Sequence, residues 1–123
     1  MGKIRPPELE ERLSGRDRPV VLDIRPRKDY QREHIEESRN VAVYGDLRSG
    51  ETDTLRGKLD NIPGDREVVT VCKAGVVAKK ATKVLEEEGY DAQTLAGGMR
   101  GWKGYQNGSL GYRLSSAVRS LLP

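Results

Sequence analysis

The stretch Glu67-Val68-Val69-Thr70-Val71-Cys72-Lys73-Ala74-Gly75-Val76-Val77-Ala78 decides the fold. Its first half is a dense β-branched run, and short unbroken apolar runs read as strands covered on both faces. A strand is expected over Glu67–Cys72. The second half passes through Gly75 into a helical pattern in which Val77, Ala81, Val84 and Leu85 share one face and Gly89 supplies the stop. That helix is expected over Val76–Glu88. The only cysteine of the chain therefore sits where a strand hands over to a helix. A turn of this kind, loosened by Gly75, aims backbone N–H groups inward. Unpaired amides at a helix start favour a thiolate or a bound oxyanion, and the thiolate is the attacking form of cysteine. The alternative is an inert thiol buried at a strand end. The glycine-bearing turn favours the reactive reading.

The same alternation continues outward in both directions. Pro6-Pro7-Glu8, with Leu9 and Leu13 one turn apart and Gly15 beyond, predicts a first helix. Val20–Ile24 reads as a buried strand, Arg27–Glu33 as a short helix, Asn40–Tyr44 as a second strand, and Thr54–Leu59 as a helix in a polar segment. On the other side, Tyr90–Leu95 is a strand, Gly97-Gly98 breaks the chain, and Met99–Tyr105 forms a short helix. Apolar strands alternating with helices predict an α/β fold with a parallel sheet covered on both faces. In such sheets a ligand sits beyond the carboxyl ends of the strands, which is where Cys72 lies. With 123 residues the chain fits one domain over 1–108. Residues 109–123 form a separate tail in which Leu114, Val118, Leu121 and Leu122 keep a helical spacing, packed on the body or extending from it.

Composition narrows the function. Hydrophobic residues make up 35% and charged residues 33%, so a core exists only where the apolar runs concentrate. No apolar run reaches 18 residues and the first 13 residues are highly charged, so a cytoplasmic protein with no membrane partner is expected. One cysteine excludes a disulfide framework and a multi-cysteine zinc site, and with only His34 to accompany it no metal is expected. From residue 92 onward there are four basic residues and no acidic one. They do not form the Lys/Arg cluster with interleaved aromatics that a nucleic-acid surface wants, so no nucleic-acid partner is expected. Lys79 and Lys80 in the first turn of the 76–88 helix, and Glu86, Glu87 and Glu88 in its last, run against the helix dipole. The two lysines are therefore expected to help gather an anion at the cysteine loop.

Five segments in order give the chain its family likeness. Val21-Leu22-Asp23-Ile24-Arg25 resembles the rhodanese family's strand ending in Asp-x-Arg. Glu33-His34-Ile35 and Ser38-Arg39-Asn40-Val41 are similar to its GHI…GAxNI segment, with Glu33 in place of glycine. Val68-Val69-Thr70-Val71-Cys72 with its Cys-x-x-Gly loop resembles the active-site strand and cradle. Gly89-Tyr90 and Leu95 follow, and Gly97-Gly98 with Trp102 match the closing GG…W.

The resemblance implies a rhodanese-like α/β fold, with a central parallel sheet of about five strands and helices on both faces. It also implies a thiosulfate sulfurtransferase that needs no cofactor. Cys72 would take sulfur from a small anionic donor such as thiosulfate and pass it, as a persulfide, to cyanide, a thiol or a sulfur-relay protein. Lys73, Ala74, Gly75, Val76, Val77 and Ala78 would form the substrate-binding loop. Val77 departs from the arginine or threonine that the family often carries there, so thiosulfate activity is expected to be weak. The same departure leaves open a non-catalytic rhodanese-like binding or relay module. A phosphatase of the Cys-x5-Arg type is excluded, since Ala78 stands where its arginine would be. Asp23 and Arg25 are expected to fix a loop, His34 and Trp102 to be structural, and Arg100 to reach the pocket mouth.

Overall fold

The computed structural model describes residues 2–108, so the helical tail expected over 109–123 lies outside the described residues. Five strands form one sheet in the order β1-β5-β4-β2-β3: β1 (Gly2–Ile4), β2 (Val20–Asp23), β3 (Arg39–Asn40), β4 (Val68–Val71) and β5 (Ala92–Leu95). Every pairing is parallel. The helices are α1 (Pro6–Leu13), α2 (Arg27–Arg32), α3 (Tyr44–Arg48), α4 (Asp53–Arg56), α5 (Ala78–Glu87) and α6 over 98–108. None among the described residues is long and apolar enough to cross a membrane.

The period-two geometry of the strands splits the core into two layers. Val20, Leu22 and Val68 face one side, where Leu47 of α3, Leu55 of α4 and Ala78, Ala81 and Leu85 of α5 cover them. Val21, Val69, Val71 and Leu95 face the other, against Leu9 of α1 and Met99 and Trp102 of α6. Trp102 is thus a core residue, as expected, at 6% exposure.

The structure moves several boundaries. The edge strand β1 has no counterpart in the sequence reading. Its ladder with Gln93, Thr94 and Leu95 continues where Ala96 N–H donates to Ile4 O at 2.9 Å. The strand expected over Asn40–Tyr44 stops after Asn40 because its partner β2 ends at Asp23. The Asn40 side-chain amide caps that edge by donating to Asp23 O and Arg25 O, each at 2.9 Å. Tyr44 opens α3 instead. The helix expected over Thr54–Leu59 breaks after Arg56 and resumes as a 3₁₀ turn over Leu59–Asn61. Helix α5 begins at Ala78 rather than Val76, leaving two more residues in the cysteine loop. Its acidic end is balanced from another element. Arg56 of α4 reaches Glu88 at 3.0 Å and Glu87 at 3.5 Å, which places a cation at the negative pole of the helix.

Two contacts hold the loops at the carboxyl end of the sheet. Asp23, 1% exposed, is gripped by the Arg25 guanidinium through Nε at 3.0 Å and a terminal nitrogen at 2.7 Å. That nitrogen also donates to Glu33 O at 2.8 Å, tying the β2 end to the end of α2. At Gly98 (φ 58°) an added Cβ would stand 2.3 Å from Cys72 O and 2.8 Å from Gly75 N. Only a residue without a side chain lets these backbones approach so closely.

Both contacts predict measurable losses in urea unfolding. Arg25→Ala strands a buried carboxylate and should cost about 3–5 kcal/mol, whereas the paired change Asp23→Asn with Arg25→Met should recover most of that. Gly98→Ala should cost at least about 2 kcal/mol, from left-handed backbone strain plus displacement of the cysteine loop.

Candidate active site

Cys72 follows the last residue of β4, and the loop Lys73–Val77 carries the chain from it into α5. Two loop amides turn to the sulfur. Gly75 N–H lies 3.1 Å from Cys72 Sγ and Ala78 N–H 3.4 Å from it. Gly75 makes this possible with φ at 84°, in the left-handed region. The amides of Lys73, Ala74, Val76 and Val77 donate to no acceptor among the described residues.

Carbonyl placement explains why amides are left over. Met99 N–H donates to Cys72 O at 2.8 Å and Arg100 N–H to Lys73 O at 3.0 Å. These donors belong to the first turn of α6, whose amides have no partner within their own helix. Each end of the arrangement satisfies the other: α6 receives acceptors for its first turn, and the loop has its carbonyls drawn toward α6. The pair Gly97-Gly98 signalled a chain break in the sequence, but this bracing role was missed.

The sulfur is well enclosed. Cys72 is 2% exposed and packs in the apolar layer with Val77 and Ala78. Within that layer two loop amides are aimed at it. Of the expected loop set, Lys73, Ala74 and Val76 are exposed, while Gly75, Val77 and Ala78 are buried. Val76, at 67%, is the large apolar side chain most open to solvent among the described residues. Val77, at 8%, faces the core.

A cleft of about 590 Å³ opens beside the loop, bordered by Lys73, Met99 and Arg100 on one side and by Arg25, Arg32 and Tyr44 on the other. Within it Lys103 is paired to Glu33 at 2.8 Å and Arg25 to Asp23. The side chains of Lys73, Arg100 and Arg32 have no ion-pair partner among the described residues. Arg100, expected at the pocket mouth, borders this cleft beside the loop. Lys79 and Lys80 do not border the cleft. Lys80 Nζ turns instead to Arg48 O at the end of α3, 3.4 Å away, so the unpaired cations bordering the cleft are Arg32, Lys73 and Arg100. His34 is exposed, stacked on Tyr30 at 4.0 Å between ring centroids, with Nδ1 bound to Tyr30 O. It takes no part in the cysteine loop.

Comparison with known proteins agrees with this architecture. The putative sulfurtransferase YtwF of Bacillus subtilis is 23% identical over 96 residues, which cover 78% of this chain and 84% of YtwF. UBA4 of Kluyveromyces lactis, named an adenylyltransferase and sulfurtransferase, is 31% identical over 71 residues, 56% of this chain but only 16% of that protein. An HTH-type transcriptional regulator of Mycobacterium tuberculosis, Rv0324, is 27% identical over 68% of the chain, which spans 34% of its length. Among solved structures, a rhodanese-like domain protein of Staphylococcus aureus superposes with a TM-score of 0.69 at 24% identity, covering 83% of this chain and 91% of that one. An NAD-dependent persulfide reductase of A. fulgidus gives 0.61 at 29% identity, covering 83% of this chain and 16% of that one. The model of the rhodanese-like domain matches residues 5–105, and the chain belongs to that family.

Proposed function

We propose that the protein is a sulfurtransferase that carries sulfur as a persulfide on Cys72. The observation that carries this reading is the cradle: two amides on the sulfur, and four more in the same loop without an acceptor among the described residues. A thiolate needs such donors, and a persulfide needs more of them, because its terminal sulfur moves the negative charge one bond outward. The names of the relatives, sulfurtransferases and a persulfide reductase, support the same class of chemistry.

The proposed reaction has two steps. In the first, the Cys72 thiolate attacks the outer sulfur of thiosulfate. The S–S bond of the donor breaks, sulfite leaves with the bonding pair, and Cys72 holds a persulfide anion. In the second, cyanide or a thiolate attacks the terminal sulfur and Cys72 departs as a thiolate. Charge is conserved in each step, and neither needs a cofactor or a base. Lys73 and Arg100 would draw the anionic donor to the loop, while Gly75, Val76, Val77 and Ala78 provide backbone amides. Val77, facing the core, provides no polar side chain, so donor affinity rests on the charges bordering the cleft.

Intact-mass measurement after incubation with thiosulfate tests the reading. The protein should gain one sulfur atom, cyanide should remove it, and Cys72→Ser should gain none. An unchanged mass in the unsubstituted protein would leave a binding module as the better account. Arg100→Ala and Lys73→Ala should each raise KM for thiosulfate roughly five-fold with kcat little altered. That is the size of a charge–charge contact of about 1 kcal/mol in a solvated cleft.

A further inference from the structure

Beneath the cysteine loop, on the α5 side of the sheet, three threonines meet inside the core. Thr70 of β4, Thr82 of α5 and Thr94 of β5 are 0%, 0% and 2% exposed. Thr82 Oγ1 lies 2.8 Å from Thr70 Oγ1 and 2.7 Å from Thr94 Oγ1. The Thr70 hydroxyl also donates to Ala78 O at 3.1 Å, with Gln93 O farther off at 3.4 Å. Burying hydroxyls costs free energy unless each finds a partner, so three of them in an aliphatic layer call for a reason.

Counting protons fixes the direction of the chain. Each hydroxyl has one proton to give. With the Thr70 proton on Ala78 O, the Thr70–Thr82 contact requires Thr82 to donate, and the Thr82–Thr94 contact then requires Thr94 to donate. The sequence of donors is Thr94 to Thr82 to Thr70 to Ala78 O, with every proton used and each bond polarising the next. The chain ends on the residue whose own N–H reaches Cys72 Sγ at 3.4 Å. Among the described residues no side chain caps the start of α5, and the strand below it fastens the amino end of this helix through Thr70.

We propose that Thr70 is a positioning residue for the sulfur chemistry: its hydroxyl pins Ala78 to β4, two residues before Cys72, and so keeps the Ala78 amide trained on the sulfur. The inference rests on the reading of Cys72 as the sulfur carrier. Nucleophile and amide are then mounted on the same strand. Charge passing from thiolate to persulfide and back meets a donor that need not reorganise, which is what gives preorganised amides their value.

The test uses the full chain with Thr70→Val, Thr70→Ser and Thr82→Val. Thr70→Val keeps the shape and removes the hydroxyl. It should lower kcat for sulfur transfer from thiosulfate about tenfold, less than the hundredfold or more seen when an oxyanion donor is deleted outright, with KM within about twofold of the parent. Thr70→Ser should restore kcat. Stability should rank the valine variants in the opposite order to rate. In Thr70→Val, the Thr82 hydroxyl can turn to the carbonyl four residues back, Ala78 O, so little stability is lost. In Thr82→Val, Thr94 is left with no acceptor in the chain while Thr70 still holds Ala78, giving the less stable but faster variant. A parent-like kcat in Thr70→Val, or rates that follow stability across the two valine variants, would overturn the proposal. Iodoacetamide alkylation of Cys72 reads the same geometry without sulfur transfer. If the parent forms no persulfide, the sulfurtransferase reading fails by itself. The pinning is then judged by whether Thr70→Val slows alkylation and Thr70→Ser restores it, and equal rates would overturn it.

Discussion

The site depends on where two carbonyl groups point. Cys72 O and Lys73 O are held by the first amides of α6, at 2.8 and 3.0 Å from Met99 N and Arg100 N. A loop of five residues between strand and helix cannot turn both its donors and its acceptors the same way. With these acceptors drawn to α6, Gly75 N–H and Ala78 N–H can face the sulfur and four other amides remain unpaired among the described residues. Gly98 is the steric condition for this, because its missing side chain lets the α6 backbone lie against Cys72 O. The amides of a helix start are usually read as a ligand site in their own right. In α6 they serve one residue removed, by setting the polarity of a neighbouring loop.

Parallel pairing brings these parts together. Because β5, β4, β2 and β3 all run the same way, their carboxyl ends share one rim of the sheet. The Asp23–Arg25 pair, the cysteine loop and the Gly97-Gly98 turn leave β2, β4 and β5 at that rim. The ion pair secures one side, where a buried carboxylate is tolerable only because the guanidinium meets it at two points. The cleft lies between that side and α6. Cations reach it from the cysteine loop, from α6 and, through Arg32, from the end of α2, so the potential of the cleft comes from elements that the sheet rim already holds in place.

Much of this was legible in the sequence, and the failures have physical causes. The buried strands at Val20 and Val68, the amphipathic face of α5 and the stop at Gly89 follow from local periodicity, and the structure keeps them. The edge strand β1 was missed because three residues, Gly2, Lys3 and Ile4, have too little pattern to read. It exists through its ladder with β5, a contact between distant parts of the chain. The strand expected over Asn40–Tyr44 failed for the converse reason. Its apolar residues suit a strand, but β2 ends at Asp23, whose carbonyl takes the Val41 N–H at 2.9 Å and ends the ladder there. Lys79 and Lys80 were placed correctly on the helix and given the wrong task, since direction around a helix start depends on where the loop releases the chain. That release came two residues later than expected.

Val77 shows how a departure from a family pattern can be read once packing is known. The sequence presents it as a lost cation. In the fold the residue is 8% exposed, inside the apolar layer with Ala78, Ala81 and Leu47. A guanidinium on this backbone would need to leave that layer or be desolvated within it, and desolvating an unpaired charge costs several kcal/mol. Valine instead completes the packing that fixes the start of α5. Under the proposed reaction, charge toward a donor falls to Lys73 and Arg100, on exposed positions where it needs no buried partner. This separates two tasks that a loop arginine would combine. The loop backbone handles charge on sulfur through fixed amides, and the side chains at the cleft handle the rest of the donor. Exposed side chains can be exchanged without disturbing the core, so under the same proposal donor preference is free to change while the amides around Cys72 stay as they are.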